Sequence, residues 1–431
     1  MKKFLIYMLI LLPFISEAQI PLTIANAIDT ALRNNFDIQI AKNNTEIGRI
    51  SNTYGNAGGL PSINATNSES RSVVGLNQQL SSGVNTSKTN VNNSALNAGV
   101  TASMVLFNGF LITATKERLN YLHKQSITQL NLQIQNTIAG VMTSYYDILR
   151  QQSYLKIIQS SIDVSAKKLE IVKNRYNVGM ANEADLLQAQ IDLNMAEQDL
   201  QGQQLIINQA KTSLLQVMSV KHFYSFAVKD TIIIDKAIQK DTVINFLEKN
   251  PQYLTAVQQI KINEQIVKQQ KALRYPSIRV NTGYNYTYSS SSAGFNLSTK
   301  NYGPTVGATL QIPIFNGTIY KTQQEVAQFN VKNAELEKES VLTALSADAI
   351  KTYDSFESTL QQIISQQVSY DSSVKLVNIV VQRFRLNQAT ILDVKAAQAS
   401  FESAGNTLVN LQFSAKIAEI ELKRLLSRLG K

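Results

Sequence analysis

The sequence predicts a mainly α chain with a small β part: long antiparallel coiled-coil helices plus four strands of membrane type, internally duplicated. Three observations carry this. A helix–turn–helix bend is written twice, at 175–190 and again 208 residues on, at 383–398. Each bend follows a proline-free run, 110–178 and 318–386, in which Gly140 is the only glycine. Ahead of each run lie segments that alternate apolar and polar residues, the period of a strand with two unlike faces.

The bends are legible residue by residue. Gly179 and Asn387 hold the same slot, and both residue types tolerate positive φ just past a helix end. Asn182 and Thr390 are good N-caps, and Asp185 and Asp393 follow three residues later, as in a capping box. The long runs carry a heptad: Val141, Ile148, Leu155, Ile162 and Leu169 in the first copy, and Ala349, Phe356, Ile363, Tyr370 and Val377 in the second. Some 69 residues at 1.5 Å each make a rod of about 100 Å. The alternate seam positions are small or polar: Thr137, Ser144, Gln151 and Ser165, then Thr352, Thr359, Gln366 and Ser373. A two-stranded zipper prefers Leu there, so the expectation is a broader sheet of helices with one face towards water.

In chain order, residues 1–18 read as a secretory signal: Lys2 and Lys3, an apolar run, then Ser16-Glu17-Ala18. A first repeat is expected over 19–220, a connector over 221–241 and a second repeat over 242–431. Each repeat runs helix, two strands, long helix, bend and return helix. The first opens at Thr23, is interrupted at Asn34-Asn35-Phe36, and continues to about Asn52. Lys249-Asn250-Pro251 is the matching interruption in the second. Leu60-Pro61-Ser62 and Tyr275-Pro276-Ser277 open the strand pairs, and Leu106-Phe107-Asn108-Gly109 and Ile314-Phe315-Asn316-Gly317 close them. The first pair is seven residues longer, an excess expected in a solvent loop over 74–93. The strand after Pro61 is supported only by Ile63 and Ala65.

The alternating segments admit a soluble sandwich or a membrane barrel. The polar face of Asn, Thr, Ser and Gly suits a water-filled lumen, and Tyr284, Tyr286 and Tyr288 suit a membrane-interface girdle. Strands of 9–11 residues are long enough to cross. Four strands cannot close alone, and open edges cannot face lipid. On the membrane reading, several chains must therefore share one barrel.

Composition narrows the function. There is no Cys, hence no disulfide, thiolate metal site or lipid-bearing N-terminal Cys. The formal charge is +10, spread along helices rather than gathered with aromatics, so nucleic acid is not an expected partner. His123 and His222 have no metal-type neighbours. No Ser/His/Asp arrangement and no Gly-rich phosphate loop is present. The expectation is no enzyme, no metal and no cofactor. The competing class is a secreted structural coiled-coil protein, such as a filament subunit, against which the duplicated strand pairs argue.

Taken together and in order, the duplicated Asn interruptions, the Pro-Ser openers, the Phe-Asn-Gly tags and the bends resemble the outer-membrane efflux protein (TolC-like) family. The resemblance implies a homotrimer with a twelve-stranded barrel in the outer membrane and an α-helical tunnel through the periplasm. It implies an exit duct for a tripartite efflux or type I secretion system, whose partners are a periplasmic adaptor, an inner-membrane pump and outer-membrane lipid. On that reading Gly179, Met180, Ala181, Asn387, Gln388 and Ala389 form the adaptor-contact tip, and Asp393 and Asp185 are candidates for the pore constriction. The chain departs from the family at Val105, where Pro is usual, at Asn387, where Gly is usual, and at Ala389 and Ala396, where polar groups are common.

Overall fold

The structure, a computed structural model, describes residues 20–429. The signal read at 1–18 lies outside them. The described chain runs β1 (Ile20–Pro21), α1 (Ile24–Asn34), α2 (Phe36–Ser51), β2 (Ser62–Gln79), β3 (Asn85–Asn108), α3 (Leu111–Asn177), α4 (Glu183–Val217) and β4 (Phe226–Ala227). It continues with α5 (Lys240–Phe246), a 3₁₀ turn (Leu247–Lys249), α6 (Pro251–Ala272), β5 (Ser277–Ser291), β6 (Ser298–Gln311), α7 (Ile319–Arg385) and α8 (Ile391–Leu425). Two compact units form. One is helical and comprises the chain up to Lys42, Leu130–Pro251 and the chain from Leu342; the other is Asn43–Gln129 with Gln252–Val341.

The second unit contains one antiparallel sheet, ordered β2-β3-β5-β6. Its register aligns the alternation of all four strands. Ala98 lies opposite Tyr286, Val100 opposite Tyr284 and Met104 opposite Val280. Tyr286 in turn lies opposite Tyr302, and Ile278 opposite Leu310. One face therefore carries an apolar band on β3, β5 and β6, which β2 joins only through Ile63 and Ala65 before Asn67, Glu69 and Arg71 follow, and the other carries Asn64, Thr66, Asn97, Thr101, Asn281, Asn285 and Thr305. β2 and β6 are open edges. Pro304 sits within β6, where an edge strand can spare an N–H.

The strands correct two expectations. They hold 18, 24, 15 and 14 residues, not about ten. The expected loop over 74–93 is strand on both sides of a short turn closed by Leu80 N–H to Val84 C=O. The seven extra residues therefore lengthen a hairpin that projects past β5, whose pairing with β3 stops at Asn93↔Ser291. An edge strand with polar residues on both faces gave no periodic signal; pairing with β3 is what holds β2 extended.

In the helical unit, Leu22, Ala27, Ala31, Val141, Tyr145, Ile148, Leu214, Leu215, Met218 and Phe226 form one core. The connector joins it through β4, which pairs in parallel with β1, Ile20 opposite Phe226. The Tyr145 hydroxyl shares its one proton between the Asp230 carboxylate and the Leu22 carbonyl, 3.0 Å away. Burial, then that carboxylate, pushes its pKa far up, which keeps it a donor.

Duplication reaches individual hydrogen bonds. Asn35 Nδ2 donates to the Val217 carbonyl at 3.1 Å, and Asn250 Nδ2 to the Leu425 carbonyl at 3.0 Å. Each asparagine satisfies an orphan carbonyl at the end of a return helix. Those helices end at Val217 and Leu425, and each is followed two residues on by a left-handed serine, Ser219 and Ser427 at φ 53°.

The polar seam positions also differ from expectation. Thr137, Gln151, Ser165, Thr359 and Ser373 are buried, not turned towards water. Gln203 Nε2 donates to Gln151 Oε1 at 2.9 Å, Gln398 Nε2 to Ser165 Oγ at 3.2 Å, and Gln366 Nε2 to the Ala404 carbonyl at 2.9 Å. Each of these hydrogen bonds reaches a return helix. The seam is a polar zipper whose partners the heptad of one helix does not reveal, because they lie about 40 to 240 residues away in sequence.

Candidate functional site

The bends fold as the capping logic requires. Met180 N–H donates to the Arg175 carbonyl at 2.7 Å and Gly179 N–H to the Tyr176 carbonyl at 3.0 Å. In the second bend Gln388 N–H donates to the Arg383 carbonyl at 2.8 Å and Asn387 N–H to the Phe384 carbonyl at 3.1 Å. This is one Schellman pattern twice, with Gly179 at φ 74° and Asn387 at φ 63°.

The caps are unequal. Asp185 N–H donates to the Asn182 side chain at 2.7 Å, which caps α4 with one bond. At α8 the box is complete: Asp393 N–H donates to Thr390 Oγ1 at 3.2 Å, and Thr390 N–H returns to Asp393 Oδ2 at 2.7 Å. The Thr390 hydroxyl also donates to Asp393 Oδ2 at 2.8 Å. The Thr390 amide, then its hydroxyl, and last the Arg383 charge hold the Asp393 carboxyl below the usual aspartate range. It is fully charged near neutrality.

The two bends meet. Ile171, Val172, Ala189, Phe384 and Val394 form a core drawn from all four helices. A cleft of about 520 Å³ opens over it, lined by Met180, Ala181, Asp185, Asn387, Gln388, Ala389 and Asp393 among others. The structure thus brings both aspartates and five of the six tip residues to one cleft; Gly179 is exposed beside it. Asp185 is half-buried and Asp393 exposed.

Two features went unread in the sequence. The Arg175 guanidinium crosses from the first bend to the second, donates to the Phe384 carbonyl and lies 4.5 Å from the Phe384 ring centroid. Its repeat counterpart Arg383 donates only within its own bend, to the Gln388 carbonyl at 3.2 Å. Lys168, 1% exposed, pairs with Asp192 at 2.5 Å, and Lys395 approaches the same carboxylate at 3.5 Å. Burial alone would raise the Asp192 pKa; hydrogen bonds from Lys168 and Gln188 and the two lysine charges outweigh it and lower it. Lys168 stands one position before Leu169, off both series of seam positions, so the heptad gives no sign of this pair.

The three tyrosines climb one strand of the second unit at alternate positions, rising about 13 Å from Tyr284 to Tyr288. Tyr302, opposite Tyr286, is the aromatic that shares a level with them.

The sequence profile of the family described as "Outer membrane efflux protein" matches residues 27–219 and 243–428. The outer membrane protein TolC of Vibrio cholerae is 21% identical over 346 residues, 78% of this chain and 77% of that protein. Among solved structures, the CmeC outer membrane channel of Campylobacter jejuni superposes with a TM-score of 0.79 at 15% identity, covering 94% of this chain and 85% of that one. The outer membrane protein VceC of Vibrio cholerae does so at 0.76 and 16%, covering 94% and 96%.

Proposed function

The chain belongs to the outer membrane efflux protein family, and from that premise we propose that three copies close one duct whose paired bends are its regulated inner mouth. It is an outer-membrane exit duct of an efflux system. The observation that carries the trimer is the four-stranded sheet with one apolar face and two unpaired edges. Unpaired backbone facing lipid is too costly to persist, so β6 of one copy pairs with β2 of the next. Twelve strands, three chains of four, then enclose the polar face as lumen. In the helical unit, α4 leaves Leu187, Ile191, Met195 and Leu205 exposed along one side, and α7 leaves Ile364, Val368 and Ile379. Contiguous apolar stripes of this kind mark interfaces; here they serve the neighbouring copies.

The division into repeats 19–220 and 242–431 about a 221–241 connector is part of this proposal, supported by the recurring Asn35 and Asn250 bonds. The tip residues Gly179, Met180, Ala181, Asn387, Gln388 and Ala389 are the surface for a periplasmic adaptor of an inner-membrane pump. Small side chains there allow a helical hairpin to approach closely. Bulky substitution at Gly179 or Ala389 is expected to abolish co-purification of the pump at unchanged outer-membrane abundance; equal loss of abundance would reduce the tip to turn chemistry.

Asp393 and, behind it, Asp185 supply a ring of carboxylates at the mouth. Their common cleft and the fixed charge of Asp393 support this role. In planar bilayers, Asp393→Asn is expected to reduce block by divalent cations and to change conductance. Unchanged block and conductance would remove Asp393 from the constriction. Tyr284, Tyr286 and Tyr288, with Tyr302, stand on the lipid-facing side as interface anchors.

A further inference from the structure

A second cavity, of about 430 Å³, lies at the base of the sheet, between the start of α3 and the end of α6. Its floor is small and buried, Ala114 and Ala272. Lys268, Lys271 and Ala272 share one face of α6 at i, i+3 and i+4, and Tyr275 follows in the turn that ends it, its N–H on the Ala272 carbonyl at 3.1 Å. Phe110 and Glu117 line the opposite wall. The aromatic end of the cavity adjoins the sheet's apolar face. Phe110 meets the Phe107 ring edge-on at 5.4 Å, and Phe107 lies opposite Ile278 on that face. Lys268 and Glu117 lie two turns further from the sheet than Tyr275 and Phe110, and Lys271 one turn; all three are exposed, and none pairs with an opposite charge among the described residues. A wall that grades from aromatic to unpaired charge over two helical turns matches the boundary between acyl chains and headgroups.

We propose that this cavity binds one glycerophospholipid of the phosphatidylethanolamine class from the leaflet facing the periplasm. Lys268 and Lys271 take the phosphate, as charge-assisted donors. Glu117 takes the ammonium. Phe110 and Tyr275 flank the ester end of the acyl chains. The site rests on reading the apolar sheet face as lipid-facing, and adds to it a headgroup-selective position that the face itself does not supply.

The repeat sharpens the assignment. In the second copy the residues at the positions of Phe110, Thr113 and Glu117 are Thr318, Lys321 and Glu325, and those at Lys268, Lys271 and Tyr275 are Thr53, Asn56 and Leu60. There Lys321 and Glu325 pair with each other at 3.9 Å. The duplicated position has lost both lysines and both aromatics and satisfies its own charge, so each chain carries one lipid site.

The test is native mass spectrometry of the delipidated, detergent-purified oligomer, titrated separately with phosphatidylethanolamine, phosphatidylglycerol and inorganic phosphate. One phosphatidylethanolamine per chain should bind, more tightly than phosphatidylglycerol, and excess inorganic phosphate should not displace it. Lys268→Glu with Lys271→Glu should weaken binding about tenfold or more, the scale of losing charged hydrogen bonds. Glu117→Gln should erase the preference between the two lipids while keeping binding. Phe110→Thr, the residue that already occupies this backbone angle in the second repeat (φ 68° at both), should weaken both lipids alike. Equal affinity of the native chain for the two lipids, an unaffected double-lysine variant, or displacement by free phosphate would each overturn the proposal. All variants are compared as heat-modifiable oligomers recovered from outer membranes. Val306→Asp separately tests the lipid-facing reading: if it inserts normally, that reading fails, whatever the titrations give.

Discussion

The first bend, around Gly179, and the second, around Asn387, close on the same pair of backbone hydrogen bonds and then anchor themselves by different means. The first has a single cap bond, from Asn182, but reaches outward: Arg175 crosses to Phe384, and its helix pair is bolted by the buried Lys168–Asp192 ion pair. The second is self-contained, with a complete box at Thr390 and Asp393 and an arginine that bonds within its own turn. Backbone geometry survives duplication because any sequence with a left-handed residue and a capping side chain satisfies it. Charge placement does not survive, since each charge answers to a different neighbour. A mouth built from both bends is only quasi-six-fold in a trimer.

The contrast breaks most sharply at Lys168. Its removal leaves Asp192 with Gln188 and the exposed, more distant Lys395, the one remaining cation, a loss on the order of 3 kcal/mol for a broken buried pair. Leu376 and Ser400 occupy the two positions in the second repeat, and Leu376 is exposed. Urea or guanidinium unfolding of the detergent-solubilised chain should therefore show a large drop for Lys168→Ala and a change within about 0.5 kcal/mol for Leu376→Ala.

Next comes the turn residue. Gly179→Val places a β-branched side chain at positive φ and should cost roughly 1–2 kcal/mol, whereas Asn387→Gly should shift stability by a few tenths at most. Thermal unfolding of the two variants side by side measures the difference. Equal effects would mean that the bends are strained alike.

The caps give a smaller effect. Thr390→Ala removes the two bonds of the hydroxyl, from Asp393 N–H and to Asp393 Oδ2, while the Thr390 backbone N–H keeps its bond to the carboxylate, and Asn182→Ala removes a single bond; each should cost about 1 kcal/mol, with the threonine the larger. Local amide exchange in the first turn of α8 and of α4 reads this directly.

The smallest expected effect is in pH. A carboxyl whose folded pKa lies below its unfolded one stabilises fully above the unfolded value and loses that contribution as pH falls through the folded one. Protection of the α8 start should thus persist down to the ordinary aspartate range and decline only below it, and Asp393→Asn should flatten the profile.

Much of this was legible in the sequence. Gly179, Asn387, Asn182 and Thr390 announce the bends because turn and cap chemistry is local. The apolar face was readable in β3, β5 and β6 because alternation is local too. β2 was not: its residues are polar on both sides, and only the neighbour at each register position makes it a strand. The buried polar seam was misassigned for the same reason. Gln151 and Ser165 read as water-facing until Gln203 and Gln398, on the return helices, supply their hydrogen bonds. Arg175 and Lys168 act across helices, where spacing along one chain carries no signal.

The central claim is that the open sheet closes between copies, β6 of one on β2 of the next, three times. Because the chain has no cysteine, pairs introduced one per edge strand, scanned along the polar faces of β2 and β6, report only contacts between copies. Oxidation in intact outer membranes, followed by non-reducing electrophoresis, should give linked species of two and three chains and none larger, at register positions spaced by two. A ladder that stops at two chains, or one that continues beyond three, would contradict the account.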